Sequence, residues 1–279
     1  MIELHNVTKR YGGTTAIRQM SLTVSEPGIY CLLGKNGAGK TTLMKLLAGF
    51  IDSSEGMIAV NGATVSRRRM PSSVHFIEST AVQFNMKLKD LLATASELSA
   101  DFDRDFAMEM VARFGLDADR RFKHLSLGMK AMFNTILALA SNSKVILLDE
   151  PTLGFDAIMR KQFNDLLLES YAAHPRIIIV STHLIDEIER VAQKLIIIND
   201  GELLLQTDLD DIDEHAYSLS GSVKAVGRAI VGLKCIGTTT MGSVMAAYVY
   251  DERIEPPEGV TLERLSLEDF FINIVGGNK

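Results

Sequence analysis

A glycine-rich turn between an apolar run and a helical pattern is the strongest constraint in this sequence. The run GIYCLL predicts a buried strand, and the nine residues GKNGAGKTT follow it directly. They match the spacing G-x-x-x-x-G-K-[ST] in the strand–turn–helix context that the motif requires. Consecutive backbone N–H groups of such a turn point at phosphate oxygens, and the start of the helix adds its positive dipole end. A plain glycine-rich turn capped by Thr41 is the alternative, but the complete pattern in this context favours a phosphate-binding loop.

The roles expected within this loop follow from its residue types. Lys40 reaches the β- and γ-phosphates, and the hydroxyl of Thr41 is suited to ligate Mg²⁺. The residues expected to contact the nucleotide phosphates are Gly34, Lys35, Asn36, Gly37, Ala38, Gly39, Lys40, Thr41 and Thr42.

Two further apolar runs end in polar residues that suit phosphate chemistry. KVILLDE brings Asp149 and Glu150 to the carboxyl end of a strand, where ligands bind in open α/β sheets. Asp149 can hold Mg²⁺, usually through water, and Glu150 can orient an attacking water as a general base. His183 follows the run RIIIVST, which predicts a contact with the γ-phosphate at the same sheet edge. Alone, a strand that ends in Asp-Glu is a weak signal, and His183 could be a solvated loop residue or a satisfied core polar group; the phosphate loop makes the functional interpretation stronger.

The order of the predicted elements indicates an α/β protein with a mainly parallel core sheet. In the stretches IELHNVTKRYGG and MSLTVS apolar and polar residues alternate, as expected of a half-exposed antiparallel sheet. Residues from about 86 to 140 show only helical periodicity, which predicts an inserted helical subdomain. The acidic stretch TDLDDIDEH predicts a loop and a domain boundary, with the first domain over residues 1–210 and a small α+β appendage over 211–279.

Six ordered motifs in residues 1–210 together resemble the ATP-binding-cassette (ABC) ATPases. They are Tyr11, the phosphate loop, Glu78, the turn Leu125-Ser126-Leu127-Gly128, LLDEPT with LGFD, and His183. The resemblance implies the P-loop ABC ATPase fold with a RecA-like core, and it implies that ATP is hydrolysed with Mg²⁺. It also implies that Tyr11 stacks on adenine, that Glu78 joins Thr41 and Asp149 at Mg²⁺, and that Ser126 and Gly128 contact ATP held by a second subunit.

Several motif residues depart from the family pattern or have a simpler explanation. Leu127 and Met129 stand where the family signature has Gly and Gln, and Glu78 stands where the family has Gln. The retained Ser126 and Gly128 predict a competent site, whereas Glu78 adds a negative charge that would tighten metal binding. Four alternatives stay open: Ser126 as a helix cap, Asp156 of LGFD as a helix cap, Tyr11 as a packed surface aromatic, and Glu78 as a solvated strand end.

Composition limits the partners that this chain can have. The net charge is −6 and the sequence pI about 5.6, so no basic field predicts a nucleic-acid partner. The longest apolar runs span four to six residues, against about 20 for a bilayer span, and the first residues show no secretory signal. Any membrane role therefore requires a separate transmembrane subunit. The two cysteines, Cys31 and Cys235, lack metal-type spacing and are expected to be buried thiols of a reducing compartment.

The resemblance then implies the ATP-hydrolysing subunit of an ABC transporter at the cytoplasmic face of the cell membrane. Lys40, Glu150 and His183 are the expected catalytic residues, and the second ATPase subunit is a homodimer partner or a close paralogue. The degenerate signature and short appendage are similar to two-component exporters of antimicrobial or amphipathic peptides. A soluble ABC ATPase that does not transport is the alternative, although one phosphate loop and no coiled-coil insertion disfavour it. A nucleotide kinase leaves the signature and the Glu150–His183 pair unexplained.

Overall fold

The computed structural model describes residues 1–78, 84–183 and 185–276. The chain divides into two compact units, Met1–Ala192 with Ile198–Leu203, and Gln193–Ile197 with Leu204–Lys279.

The first unit begins with a four-stranded antiparallel sheet in the order β2-β1-β4-β5. Its strands are β1 (Ile2–Tyr11), β2 (Thr14–Val24), β4 (Glu55–Val60) and β5 (Ala63–Thr64). Ile2, Leu4 and Val7 of β1 are buried, whereas His5 and Arg10 are exposed. One face of this sheet therefore packs and the other is solvated, as the alternating pattern predicts.

A six-stranded sheet in the order β10-β9-β3-β8-β7-β6 forms the core. Its strands are β3 (Gly28–Leu33), β6 (Val74–Glu78), β7 (Val145–Asp149), β8 (Ile177–Ser181), β9 (Lys194–Asn199) and β10 (Glu202–Asp208). Every residue of β3, β7 and β8 is buried, as expected of parallel strands covered on both faces. The parallel register aligns Glu78 with Asp149 and Asp149 with Ser181, so these strands end at one level of one edge.

Six helices belong to the first unit's described residues. They are α1 (Lys40–Leu47), α2 (Leu88–Leu98), α3 (Arg104–Arg113), α4 (Leu127–Ala140), α5 (Ala157–Ala173) and α6 (Ile185–Ile188). Helices α2 to α4 occupy the region with helical periodicity. The helix predicted across LIDEIERVAQ is shorter than expected: α6 ends at Ile188, and residues 189–191 form a turn in which the Val191 N–H bonds the Ile188 carbonyl. Leu184, where that prediction begins, lies outside the described residues.

A buried arginine fastens α4 and α5 to the start of β8. Arg176 is 6 % exposed, and its Nη2 donates to the Leu139 carbonyl at 3.1 Å and to Ser170 Oγ at 2.6 Å. Both acceptors lie in the last turns of their helices, where a cation is favoured by the helix dipole. Burial lowers the pKa of Arg176 to about 10, still high enough to keep the guanidinium charged at neutral pH.

The second unit contains a four-stranded antiparallel sheet in the order β12-β13-β11-β14 with three helices. Its remaining elements are α7 (Leu209–His215), β11 (Ala216–Ser222), α8 (Val223–Ala229), β12 (Cys235–Met241), β13 (Val244–Tyr250), β14 (Val260–Arg264) and α9 (Leu267–Gly276). Buried side chains form its core: Tyr217, Leu219, Val226, Ala247, Val249 and Val260.

The acidic stretch that predicts a loop is instead α7, so that expectation was wrong. Ile212 is 2 % exposed and gives the helix a packed face, while Asp210 and Asp211 lie in the first turn, where the helix dipole favours negative charge. The boundary predicted between residues 210 and 211 falls inside this helix and stays a prediction. The overall class, α/β with parallel and antiparallel sheets, is confirmed.

The two cysteines differ in environment. Cys31 on β3 is buried, and burial raises the pKa of its thiol, so it is an inert core residue. Cys235 at the start of β12 is exposed, which contradicts the expectation of two buried thiols. Among the described residues, no helix combines the length and the apolar character needed to cross a bilayer.

Candidate nucleotide-binding site

The glycines of the predicted phosphate loop are required by close backbone contacts. A Cβ at Gly34 would lie 2.6 Å from the Ile198 carbonyl oxygen, and one at Gly39 would lie 2.6 Å from the Ala16 carbonyl oxygen. Gly37 and Gly39 also have φ angles of +83° and +106°, which side-chain-bearing residues rarely adopt. The turn is therefore held by β2 and the β9–β10 hairpin in a shape that only glycine permits at these positions.

The loop encloses a cavity of about 320 Å³. Its lining residues are Ala16, Lys35, Asn36, Gly37, Gly39, Lys40, Thr41, Thr42 and Glu150. Lys40 is 7 % exposed, and its Nζ donates to the Gly34 carbonyl at 2.7 Å and the Lys35 carbonyl at 3.4 Å. The ammonium group is thus held across the turn by weak neutral acceptors, which phosphate oxygens would replace favourably.

Asp149 joins two strand ends and α1 in one buried network. It is 5 % exposed; its Oδ2 accepts from Thr41 Oγ1 at 2.6 Å, and its Oδ1 accepts from Ser181 Oγ. Because Thr41 donates its hydroxyl hydrogen to Asp149, the hydroxyl oxygen keeps a lone pair for a cation.

Glu150 and His183 face each other at the same edge. His183 Nδ1 lies 2.8 Å from Glu150 Oε2, and the Glu150 N–H donates to the carbonyl and the hydroxyl oxygen of Ser181, both at 3.1 Å. Glu150 adopts the unusual φ of +49°, so its side chain departs from the line of β7 toward the cavity that it helps to line. An ionised carboxylate only accepts hydrogen bonds, so His183 Nδ1 carries the proton in this contact.

The signature turn does not line the phosphate cavity of its own chain. Ser126 caps α4 by accepting from the Met129 N–H at 3.2 Å. The structure therefore confirms that Ser126 is a helix cap. The cap uses only an oxygen lone pair, and within the described residues the Ser126 hydroxyl hydrogen has no acceptor. Capping and donation to an external phosphate are therefore compatible in one side chain.

Gly128 packs directly on the LGFD turn. A Cβ at Gly128 would lie 2.7 Å from the Gly154 carbonyl oxygen, and a Cβ at Gly154 would lie 3.0 Å from Leu127 side-chain carbons. Asp156, the last residue of LGFD, accepts from the Met159 N–H at 2.8 Å and caps α5, as its simpler explanation predicts. The signature turn (Leu125-Ser126-Leu127-Gly128) and the LGFD turn thus pack directly against each other.

We expect Gly128→Ala to destabilise the chain by about 1–3 kcal/mol, because the new methyl group meets backbone that cannot rotate away. Gly227→Ala in α8 is the matched control, since a Cβ there meets nothing within 4 Å. Alanine at a helical glycine should be neutral or stabilise by about 0.5–1 kcal/mol. Urea unfolding of both variants measures the difference; equal stabilities would contradict the packed contact.

Several predicted site residues lie outside the phosphate cavity's lining: the nucleotide ligands Tyr11, Gly34, Ala38, Ser126 and Gly128, and the metal ligands Glu78 and Asp149. Glu78 Oε1 accepts a 2.8 Å ion-pair contact from Lys45 Nζ on α1. Tyr11 ends β1 opposite Thr14, is 48 % exposed, and has Lys9 Nζ 5.0 Å from its ring centre. Its stacking role and the metal role of Glu78 stay predictions.

Three neighbours of the site were not identified from the sequence. Ser181 bridges Asp149 and the Glu150 N–H, Ala16 lines the cavity, and Lys45 pairs with Glu78. Ser181 carried a signal, since it ends a strand two residues before His183. Ala16 and Lys45 carried none, because an alanine in a half-exposed strand and a lysine on a helix are ordinary patterns.

Known proteins match the chain over most of its length. A family model described as ABC transporter matches residues 17–153. The Nod factor export ATP-binding protein I of Burkholderia lata is 32 % identical over 99 % of this chain and 97 % of its own length. The lantibiotic transport ATP-binding protein SrtF of Streptococcus pyogenes is 29 % identical over 75 % of this chain and 92 % of its own. Among solved structures, an ATP-binding subunit of an ABC transporter has a TM-score of 0.68 and 25 % identity, covering 76 % of this chain and 91 % of that one.

Proposed function

Since this chain belongs to the ABC transporter family as an ATP-hydrolysing subunit, we propose that it is the nucleotide-binding subunit of an exporter and drives a separate transmembrane subunit. The relatives' transport roles support the exporter part of the proposal. One observation carries its hydrolytic part: Glu150 lines the phosphate cavity and its carboxylate is held by His183 at 2.8 Å. A binding protein that only sequesters nucleotide has no need of a paired carboxylate and imidazole facing its phosphate loop.

Nucleotide binding begins at the phosphate loop. The N–H groups of the turn and the first turn of α1 receive the phosphate oxygens, and Lys40 exchanges its loop carbonyls for the β- and γ-phosphates. Tyr11 stacks on the adenine from the β1–β2 hairpin that also carries Ala16.

The oxygens of Thr41 and Asp149 fit Mg²⁺, a cation that prefers oxygen ligands and keeps several waters. No group of three or more His, Cys, Asp or Glu residues among residues 1–78, 84–183 and 185–276 is placed to hold a metal. Mg²⁺ would be bound by one or two side chains together with the substrate phosphates. When bound, the ion neutralises charge on the phosphates and so favours attack at the γ-phosphorus.

Hydrolysis depends on the two residues at the strand ends. Glu150 orients the attacking water and accepts its proton as general base. His183 holds the Glu150 carboxylate through Nδ1–H; to donate to a γ-phosphate oxygen through Nε2 as well, the ring must carry both protons. Lys40 stabilises the negative charge on the transferred group.

The second half of the site comes from a second ATPase subunit. Ser126 is exposed, and the capping bond at 3.2 Å leaves its O–H free to donate toward the γ-phosphate in the opposing chain. The Gly128 N–H adds a second donor, so two chains would close around two ATP molecules. The partner is a second copy or a close paralogue.

A groove beside the site fits a helix of the transmembrane subunit. A cavity of about 500 Å³ is lined mostly by apolar side chains of β6, α2 and α4, among them Phe76 and Leu98, and Glu78 is also part of its lining. Burial lowers the pKa of His75 in this lining, which keeps the ring neutral and the groove apolar. We propose that the loop after Glu78 also contacts the partner; this loop, residues 79–83, lies outside the described part. Such a complex would sit at the cytoplasmic face of the membrane, and an amphipathic peptide fits the lantibiotic named for one relative.

Co-purification tests this proposal. The tagged chain, recovered from detergent-solubilised membranes of the organism that encodes it, should bring down an integral membrane protein in fixed ratio. Leu98→Glu should abolish this recovery and leave ATP binding intact, because Leu98 lines the groove and is 83 % exposed. Val231→Glu, at another exposed apolar residue (79 %), is the control and should recover the partner normally. Recovery of no membrane protein by the unchanged chain would favour the soluble, non-transporting ATPase.

A further inference from the structure

A half-buried ion pair connects α1 to the end of β6. Lys45 Nζ lies 2.8 Å from Glu78 Oε1, with side-chain exposures of 29 % and 27 %. The partial burial of both side chains distinguishes it from exposed pairs such as Lys89 with Asp119, whose side chains are 45 % and 63 % exposed. Ion pairs as exposed as Lys89–Asp119 contribute little to stability, whereas salt screens the attraction less in a partly buried pair.

The Lys45–Glu78 pair lies beside the Thr41–Asp149 hydrogen bond of the candidate metal site. Lys45 lies four residues after Thr41, so both side chains project from one face of α1. Glu78 and Asp149 are register partners in adjacent parallel strands, so their side chains leave the same face of the sheet. Thr41 donates a hydrogen bond to Asp149 and Lys45 donates one to Glu78, so two neighbouring contacts connect α1 to the ends of β7 and β6.

The two contacts differ in charge, because Thr41 is neutral whereas Lys45 is a cation beside the Glu78 carboxylate. Asp149 supplies one negative charge at the site, and a free Glu78 carboxylate beside it would supply a second, attracting a divalent cation and repelling nucleotide phosphates. The ammonium of Lys45 both neutralises that carboxylate and fixes its position.

We propose that Lys45 is the positioning residue for Glu78, and that this pair sets how strongly nucleotide binding depends on Mg²⁺. The inference rests on the proposed nucleotide site. Lys45 acts through Glu78 and does not contact the nucleotide; without it the carboxylate moves and carries an uncompensated charge. The departure from the family's neutral residue at position 78 is then compensated within the chain by a lysine one helical turn beyond Thr41.

The test compares nucleotide affinity with Mg²⁺ and with EDTA, using a non-hydrolysable ATP analogue and calorimetry on the full chain. The measured quantity is the ratio of the dissociation constant in EDTA to that in Mg²⁺. Lys45→Met should raise this ratio about 3- to 10-fold, because a freed carboxylate attracts the cation and repels the bare phosphates. In the Glu78→Gln background, Lys45→Met should change the ratio less than about 2-fold. Lys45→Arg made alone, with Glu78 present, should retain the ratio of the unchanged chain.

Controls separate this role from others. Lys89→Met breaks an exposed ion pair elsewhere and should leave the ratio unchanged. An equal shift from Lys45→Met in both backgrounds would show that Lys45 acts on the nucleotide directly, and no shift in either would show a purely structural pair; each result overturns the proposal. If the unchanged chain binds no nucleotide, the proposed function fails, and the inference with it, which is a different result from either of these.

Discussion

Glu150→Gln should lower ATP turnover by about 10²–10⁴-fold, the usual contribution of a positioned general base. Glutamine has nearly the same shape, and the backbone bonds of residue 150 to Ser181 do not involve its side chain, so the fold is retained. ATP binding should therefore survive, and the chain should accumulate as a pair around two ATP molecules. Phosphate release under saturating ATP measures turnover, and size-exclusion chromatography measures pairing.

A second glutamate provides the control for this change. Glu169 accepts from Arg113 at 2.8 Å on the surface of α5, far along the helix from the LGFD turn, so Glu169→Gln removes a carboxylate charge without touching the site. It should hydrolyse ATP at the normal rate. Turnover of Glu150→Gln near that of the unchanged chain would show that another group accepts the proton from water.

Ser126→Arg in the Glu150→Gln background should abolish ATP-driven pairing completely while ATP binding by each chain persists. The bulky side chain would occupy the place where the opposing γ-phosphate must approach, and the hydroxyl donor is lost. Binding within one chain depends on the loop around Lys40 and Thr41, whose cavity does not include residue 126. Chromatography with and without ATP, beside an affinity measurement, records both results.

The loss of a helix cap is controlled by a second serine. Ser222 caps α8 by accepting from the Ala225 N–H at 3.2 Å, the same distance as in the Ser126 cap. Ser126→Arg and the control Ser222→Arg, each in the Glu150→Gln background, should both cost about 0.5–2 kcal/mol of stability. Only Ser126→Arg should prevent pairing. A Ser126→Arg, Glu150→Gln chain that still pairs with ATP would leave Ser126 with the capping role alone.

Local pattern determined much of the fold and part of the site from the sequence alone. The phosphate loop could be predicted because its glycine spacing and flanking elements are set by short-range backbone geometry, and the structure places those glycines where a Cβ would clash. Asp149, Glu150 and His183 could be predicted to lie together because parallel strands end at a common edge. The helix caps at Ser126 and Asp156 could be predicted for the same local reason.

Local pattern gave the wrong expectation in two segments. The acidic stretch near residue 210 reads as a loop by composition, yet it forms α7 because Ile212 is buried. Cys235 reads as a buried thiol by residue type, yet it lies exposed near the start of an exposed strand. In both segments the environment of one side chain, which depends on the rest of the unit, decided the outcome.

Tertiary structure alone decided which distant residues meet. Lys45 and Glu78 are separated by a strand pair and connecting turns, and nothing in either segment marks them as partners; the aligned ends of β6 and β7 above α1 bring them to 2.8 Å. Likewise Gly128 is needed because the Gly154 carbonyl lies against it. Sequence pattern determines the elements because their hydrogen bonds and periodicity are local, whereas contacts between elements depend on how the buried faces pack in three dimensions, which no single segment encodes.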